Sequence, residues 1–252
     1  MRKTIYFFVV MMLSMPVCAS ANSYIRGDVD RNGKVGISDV TDLIDFLLYG
    51  TWNEDEHEYV DLGLPSGTLW ATMNIGAFAP YDYGDYFAWG ETGPKPSYEW
   101  ATYMWYDDGS ESLTKYCTES NYGTVDNKTE LELEDDAAYV NWGPSWRTPT
   151  IEQLQELIDN CDWLMCTIHG VWCQVITGPN GNTLCLPVAG SRNDAAYVGA
   201  SSTCCYWSRT LYTLNSIPTL ANSLHGIDTH LSCGTNNRQK GCSVRAVRVS
   251  QD

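Results

Sequence analysis

Basic residues are scarce in this chain. Lysine and arginine number 15 against 31 aspartates and glutamates, a formal net charge of −16 at pH 7, which argues against a phosphate backbone as partner because nucleic-acid binding needs clustered positive charge. No nucleic-acid partner is expected. Histidine is as sparse: His57, His169, His225 and His230 show no His-Glu-x-x-His spacing, and His225 with His230 lacks a third zinc ligand. No metal-type Cys-x-x-Cys pair occurs either.

Apolar runs are missing beyond the N-terminus. There, Arg2 and Lys3 precede an unbroken apolar stretch over residues 5–13, followed by Pro16 and Ala19-Ser20-Ala21. A membrane-crossing helix takes about 20 residues, so this stretch reads as a secretory signal peptide, residues 1–21, cut before Asn22. Secretion or display at the cell surface is expected, with no integral membrane segment after processing. Cys18 offers lipid attachment as the alternative, although Met15-Pro16-Val17 lacks the small residue wanted before such a cysteine. Nine cysteines then remain, an odd number that leaves at least one unpaired in a monomer. Cys204 and Cys205 are adjacent, so a mutual bridge would be strained and a strand would point them to opposite faces, one as a small buried hydrophobe.

What the mature chain does contain is a spacing of oxygens. Asp28, Asp30, Asn32 and Asp39 occupy positions 1, 3, 5 and 12 of a loop with Gly33 at position 6. Calcium takes six to eight oxygens, so the chain must wrap it, and a glycine at the sixth position permits the sharp turn. Lys34 would add its backbone carbonyl, a water would stand in at Gly36, and Ile37 would plug the loop onto an apolar core. Calcium is therefore the expected cofactor, held by Asp28, Asp30, Asn32, Lys34 and Asp39. A metal-free Asp/Asn-rich turn is the plainer alternative. An amphipathic helix follows, with Val40, Leu43, Ile44 and Leu47 on one face and Gly50 at its end. The pattern from Gly27 to Val40 resembles a dockerin type I repeat, an EF-hand-like calcium loop and helix. The resemblance implies a cohesin-like or other extracellular protein partner, although dockerins carry two repeats and one is present here.

Residues 22–50 thus form a first unit, residues 51–58 an acidic linker, and residues 59–252 a globular domain. Hairpins are expected where Pro65-Ser66-Gly67 separates residues 60–62 from 68–73, and where Pro179-Asn180-Gly181-Asn182 separates residues 171–177 from 183–187. Thr150 with Gln153 makes a capping box ahead of Ile151, Leu154, Leu157 and Ile158, predicting a helix that stops near Asn160. Residues 103–139 show little periodicity and many acids, among them Glu130, Glu132, Glu134, Asp135 and Asp136, and read as long surface loops. The run over residues 242–249 is β-like.

The domain carries Val60-Asp61-Leu62-Gly63-Leu64-Pro65-Ser66-Gly67, Leu69-Trp70-Ala71-Thr72, Asn74-Ile75-Gly76, Tyr83-Gly84-Asp85-Tyr86-Phe87-Ala88-Trp89-Gly90-Glu91, Trp146-Arg147-Thr148-Pro149-Thr150, Tyr206-Trp207-Ser208 and Ser243-Val244-Arg245. Together these segments resemble the FISUMP (Fibrobacter succinogenes major paralogous) domain of secreted bacterial proteins. The resemblance implies an α+β class, C-type lectin-like mixed-sheet domain with long loops, whose first and last strands pair, setting Val60 beside residues 244–249. Buried tryptophans are expected to aim their N–H at carbonyls. Arg147 and Arg245 are expected as structural ion-pair partners, with carboxylate recognition as the alternative.

The expected function is non-enzymatic: an extracellular adhesion or ligand-binding module, with a scaffold component assembled through the calcium unit as the alternative. The lectin calcium triplets Glu-Pro-Asn and Gln-Pro-Asp are absent, and Gly178-Pro179-Asn180 is only a turn, so a glycan would rest on aromatic platforms. Formylglycine-generating relatives use two late cysteines, for which Cys233 and Cys242 are the candidates, in surroundings that do not resemble that site.

Overall fold

The computed structural model describes Val40, Leu43, Ile44, residues 57–227 and residues 230–248. The chain divides into two units, Met1–Leu48 and Tyr49–Asp252. In the first, Val40, Leu43 and Ile44 are helical with exposed side chains. The signal peptide and calcium loop lie outside the described residues, as does the linker apart from His57 and Glu58.

The second unit is α+β, made of small antiparallel sheets with few helices. In chain order it runs through β1 (Tyr59–Asp61), β2 (Leu69–Asn74), β3 (Tyr106–Asp107), β4 (Ser112–Leu113), α1 (Ala137–Trp142), β5 (Trp146–Arg147) and α2 (Ile151–Asn160). It continues with β6 (Asp162–Ile168), β7 (Val171–Thr177), β8 (Thr183–Pro187), β9 (Ser191–Asn193), β10 (Ala196–Val198), β11 (Thr203–Leu211), β12 (Leu220–Ile227), β13 (His230–Asn237) and β14 (Arg245–Arg248). The sheets are β1-β2-β14-β5, β6-β7-β8 and β11-β12-β13, with β3-β4 and β9-β10 as separate hairpins. Among the described residues, parallel pairing is confined to isolated bridges such as Tyr206 with Ser243.

Both expected hairpins form. Gly67 N–H closes the first turn on the Leu64 carbonyl at 2.9 Å, and the second ends in Asn180 and Asn182, whose amides both donate to the Asp61 carbonyl. The tip of β7-β8 is thereby tied to the end of β1. Helix α2 starts at the Thr150–Gln153 capping box and ends at Asn160, burying Leu154 and Leu157. One pairing differs from expectation: β2 stands between β1 and β14, with Trp70 facing both Val60 and Val247, so Val60 is one strand removed from the chain's end. A tight hairpin claims the nearest strand before a distant one reaches it.

Three apolar clusters fill the described part of the domain, the smallest around Tyr86, Tyr98 and Tyr103. Cys205 and Trp207 enter one of the two larger clusters and Cys204 and Tyr206 the other, so alternate residues of β11 serve different cores. Cys205 is bridged to Cys242, with Cα atoms 5.4 Å apart, while Cys204 remains a buried thiol. Each buried ring contributes on the order of 2 to 3 kcal/mol. Trp89 and Trp207 donate to the Ser208 and Phe87 carbonyls at 2.7 Å, whereas the Trp70 and Trp146 indole nitrogens are buried without a partner. Glycine at 76 is required twice over: its φ is +77°, and a Cβ there would lie 2.3 Å from the Asp85 carboxylate.

The reading of residues 103–139 as long surface loops holds for most of the segment but fails at single anchors. Tyr103, Leu113, Tyr116, Leu131, Asp135 and Asp136 are buried. The segment lacks periodicity because it packs through single anchors rather than through a strand or helix face. Its oxygens wrap the cation Arg238, which donates to the Tyr103 hydroxyl and to the Lys115 and Tyr116 carbonyls.

Candidate functional site

Asp28, Asp30, Asn32, Lys34 and Asp39, the expected calcium ligands, lie outside the described residues. Among the described residues, no cluster of three or more His, Cys, Asp or Glu side chains has metal-holding geometry. The histidines are dispersed: His57 stacks on Trp142 at 3.9 Å, His169 meets Tyr81 at 4.6 Å, and His225 contacts Ser223 Oγ at 2.8 Å. Cys242 is taken by its bridge to Cys205, and Cys233 lies 4.0 Å from the Ile151 carbonyl, so the structure does not assemble these two late cysteines as a pair.

Arg147 is the structural ion pair expected of it. Its Nε donates to Asp136 at 2.6 Å, and this fully buried carboxylate also receives Thr148 N–H, Thr148 Oγ1 and Ala138 N–H, capping α1. Arg245 departs from expectation, because its partners are the Asn74 side chain and the Ala71 and Thr72 carbonyls. No carboxylate faces it among these bonds.

An exposed surface with fixed side chains lies on the β9-β10 hairpin. Asp194, at φ +56°, makes the tight loop that sets Arg192 directly opposite Tyr197. The Arg192 guanidinium then lies over the Tyr197 ring at 4.2 Å and over the Tyr98 ring at 5.5 Å. Its Nη2 donates to the Pro96 and Ala195 carbonyls at 3.1 and 2.9 Å. Tyr86 meets Tyr197 edge-on at 5.6 Å. Beneath this surface the phenols are pinned, Tyr86 to the Ala189 carbonyl and Tyr98 to the Tyr86 carbonyl. Burial, followed by the neighbouring phenols Tyr197 and Tyr83, pushes the Tyr86 hydroxyl far above its ordinary range, and burial raises Tyr98 as well, so both stay neutral donors.

Tyr197 itself is 63 % exposed, with Val198 beside it. Polar groups rim the surface: Ser97 Oγ bonds Asp194 at 3.0 Å, and Tyr83 and Ser201 exchange a hydroxyl bond at 3.1 Å. Glycine at 241 permits the arrangement, since a Cβ there would lie 2.7 Å from the Tyr98 ring and 2.9 Å from Arg192 Cβ. A small pocket bordered by Trp89, Glu91 and Asp135 has room for about one water. The arrangement thus suits a shallow, neutral, flat-faced ligand. Sequence reading did not single out Arg192 or Tyr197. Their signal is the Ser191-Arg192-Asn193-Asp194 to Ala196-Tyr197-Val198 hairpin, in which a turn pair separates an arginine from a tyrosine that faces it.

Comparison with protein-family models, with curated proteins and with solved structures returns no match for this chain.

Proposed function

We propose that this is an exported, non-enzymatic binding module that holds a glycan on the Arg192–Tyr197 surface, within a domain of C-type lectin-like fold. A sugar ring presents an apolar C–H face and a rim of hydroxyls. The first matches a rigid exposed phenol, the second the Ser97, Asp194, Ser201 and Tyr83 groups around it. The observation that carries the reading is the exposed Tyr197 ring fixed at 4.2 Å from a guanidinium that is itself held from below. A ring already immobilised loses little entropy when a ligand lands on it. The strongly acidic chain disfavours anionic ligands at long range.

In this proposal residues 22–50 form an EF-hand-like calcium unit, with Asp28, Asp30, Asn32, Lys34 and Asp39 as ligands. A second reading, a scaffold component assembled through that unit, is favoured by the exposed helical Val40, Leu43 and Ile44. The test is a neutral-glycan array probed with the full mature chain, with Tyr197→Ala alongside. Loss of one aromatic contact worth about 0.5 to 1.5 kcal/mol weakens a hit roughly 2- to 12-fold. An array without hits, or hits indifferent to Tyr197→Ala, overturns the glycan reading. Assembly that persists in chelator removes the scaffold reading, and calorimetry without calcium uptake in the parent chain removes the metal.

A further inference from the structure

Two cysteines face each other across the β6-β7 hairpin, where the register sets Cys166 directly opposite Cys173. His169 and Gly170, at φ +50° and +83°, form the two-residue turn that fixes this register. The strands cannot slip without giving up that turn. Val188 N–H donates to the Trp172 carbonyl at 2.8 Å, so the backbone of Trp172 is turned toward β8 and that of the next residue, Cys173, toward β6. Cys166 and Cys173 are therefore a hydrogen-bonded pair, whose Cα atoms stand about 5.5 Å apart. A disulfide spans that separation, as the Cys205–Cys242 bridge does at 5.4 Å. Cys185 on β8 is set opposite Val175, diagonal to Cys173. Diagonal Cα atoms lie about 7–8 Å apart, at or past the reach of a bridge, which is about 7 Å.

Access separates the two facing sulfurs. Strand alternation places Leu164, Cys166 and Cys173 on the face away from Ile176, Leu184 and Leu186, which enter the core. On that face Leu164 is 63 % exposed and Cys166 partly exposed, whereas Cys173 is buried. Both cysteines are thiols in this structure. Strand β6, which carries Cys166, is the outer strand of its sheet.

We propose that Cys166 and Cys173 form a reversible redox site that reacts with low-molecular-weight disulfides and closes into a cross-strand bridge stapling β6 to β7. Cys166, the sulfur that solvent reaches, gives its proton to water and attacks one sulfur of the external disulfide. The external bond breaks, a mixed disulfide forms on Cys166, and one thiolate leaves and takes up a proton. Cys173 then attacks the Cys166 sulfur, its proton passing to the departing second thiolate. Two protein thiols are oxidised and one external disulfide is reduced to two thiols. Reversibility follows from the register. The Cβ atoms of a hydrogen-bonded pair stand about 5.5 Å apart, against about 3.5–4.5 Å in a relaxed disulfide, so closure draws the strands together and leaves a bond that reducing thiols open readily.

The test uses the full mature chain, mildly reduced, exposed to oxidised glutathione while folded, quenched in acid and alkylated. Chymotrypsin cleaves after Trp172 and Leu184, which puts Cys166, Cys173 and Cys185 on separate peptides. The expected result is a Cys166–Cys173 link in the parent chain and glutathione held on Cys166 in Cys173→Ser. A Cys173–Cys185 link, alkylation of both Cys166 and Cys173, or glutathione on Cys185 in place of Cys166 in the variant overturns the proposal. Should Cys173→Ser fail to fold, the parent chain decides alone through the peptides that are joined. Graded dithiothreitol on the oxidised chain is expected to open Cys166–Cys173 at least about tenfold below the concentration that opens Cys205–Cys242, whose sulfurs are both on buried residues. Opening together or in the reverse order overturns the reversible site.

Discussion

Arg238 and Arg245 are both buried, at 0 % and 1 % exposure, yet the protein encloses the first completely and leaves the second incomplete. Around Arg238 every guanidinium nitrogen donates, to the Tyr103 hydroxyl and the Tyr116, Pro218 and Lys115 carbonyls. The Trp89, Tyr103 and Tyr116 rings lie 5.0 to 5.8 Å from its centre. Around Arg245 there are three acceptors and one bare nitrogen. The difference teaches that a buried cation needs no carboxylate when neutral oxygens and ring faces close around it.

Stability measurements on single variants can break that comparison. The largest effect is expected for Arg238→Met, which strips donors from three carbonyls and a phenol and detaches the 103–116 segment from β13's end. A loss of about 4 kcal/mol in urea unfolding is expected. Asp136→Asn comes next, at roughly 3 kcal/mol, because Arg147 and Thr148 lose a buried charged acceptor. Arg245→Met is expected to cost only about 2 kcal/mol, since removing an unpartnered charge offsets part of the lost bonding. If Arg245→Met costs as much as Arg238→Met, the contrast between a closed and an open shell fails.

How much of this was legible in the chain depends on whether the signal was local. The 65–67 and 179–182 turns and the Thr150 capping box each place cause and effect within a few residues, and all three form as the residue pattern predicts. The alternation of Cys204 and Cys205 between two cores follows from strand geometry alone. The anchors within residues 103–139 defeated pattern reading because their organiser, Arg238, lies about a hundred residues downstream. The β2 strand between β1 and β14 was missed for a related reason: pairing order is a competition between segments that periodicity does not rank. The Arg192–Tyr197 surface is half local, since the hairpin shows in the chain while Tyr98 and Tyr86 arrive from another region.

The smallest expected effect extends the comparison to a base that, unlike arginine, can discard its charge. His225 on β12 sits opposite Cys205 and bonds Ser223 Oγ at 2.8 Å. Burial, and then the Lys240 charge, hold its imidazole below the ordinary value of 6.5, against a smaller opposing pull from a Thr235 backbone bond. The folded protein therefore accepts this proton at lower pH than the unfolded chain does. Above about pH 6.5 neither state is protonated there and the residue adds no pH dependence. As pH falls below that value the unfolded chain takes up the proton first, so stability drops, and the drop stops once the folded imidazole is protonated too. His225→Gln keeps a group able to bond Ser223 but has no proton to gain, so its urea midpoint should fall less steeply than the parent's between about pH 7 and 5. Equal slopes would mean that the protein shelters this base no better than the unfolded chain, and that neutrality is not how β12 solves the problem that Arg238 and Arg245 solve with a charge.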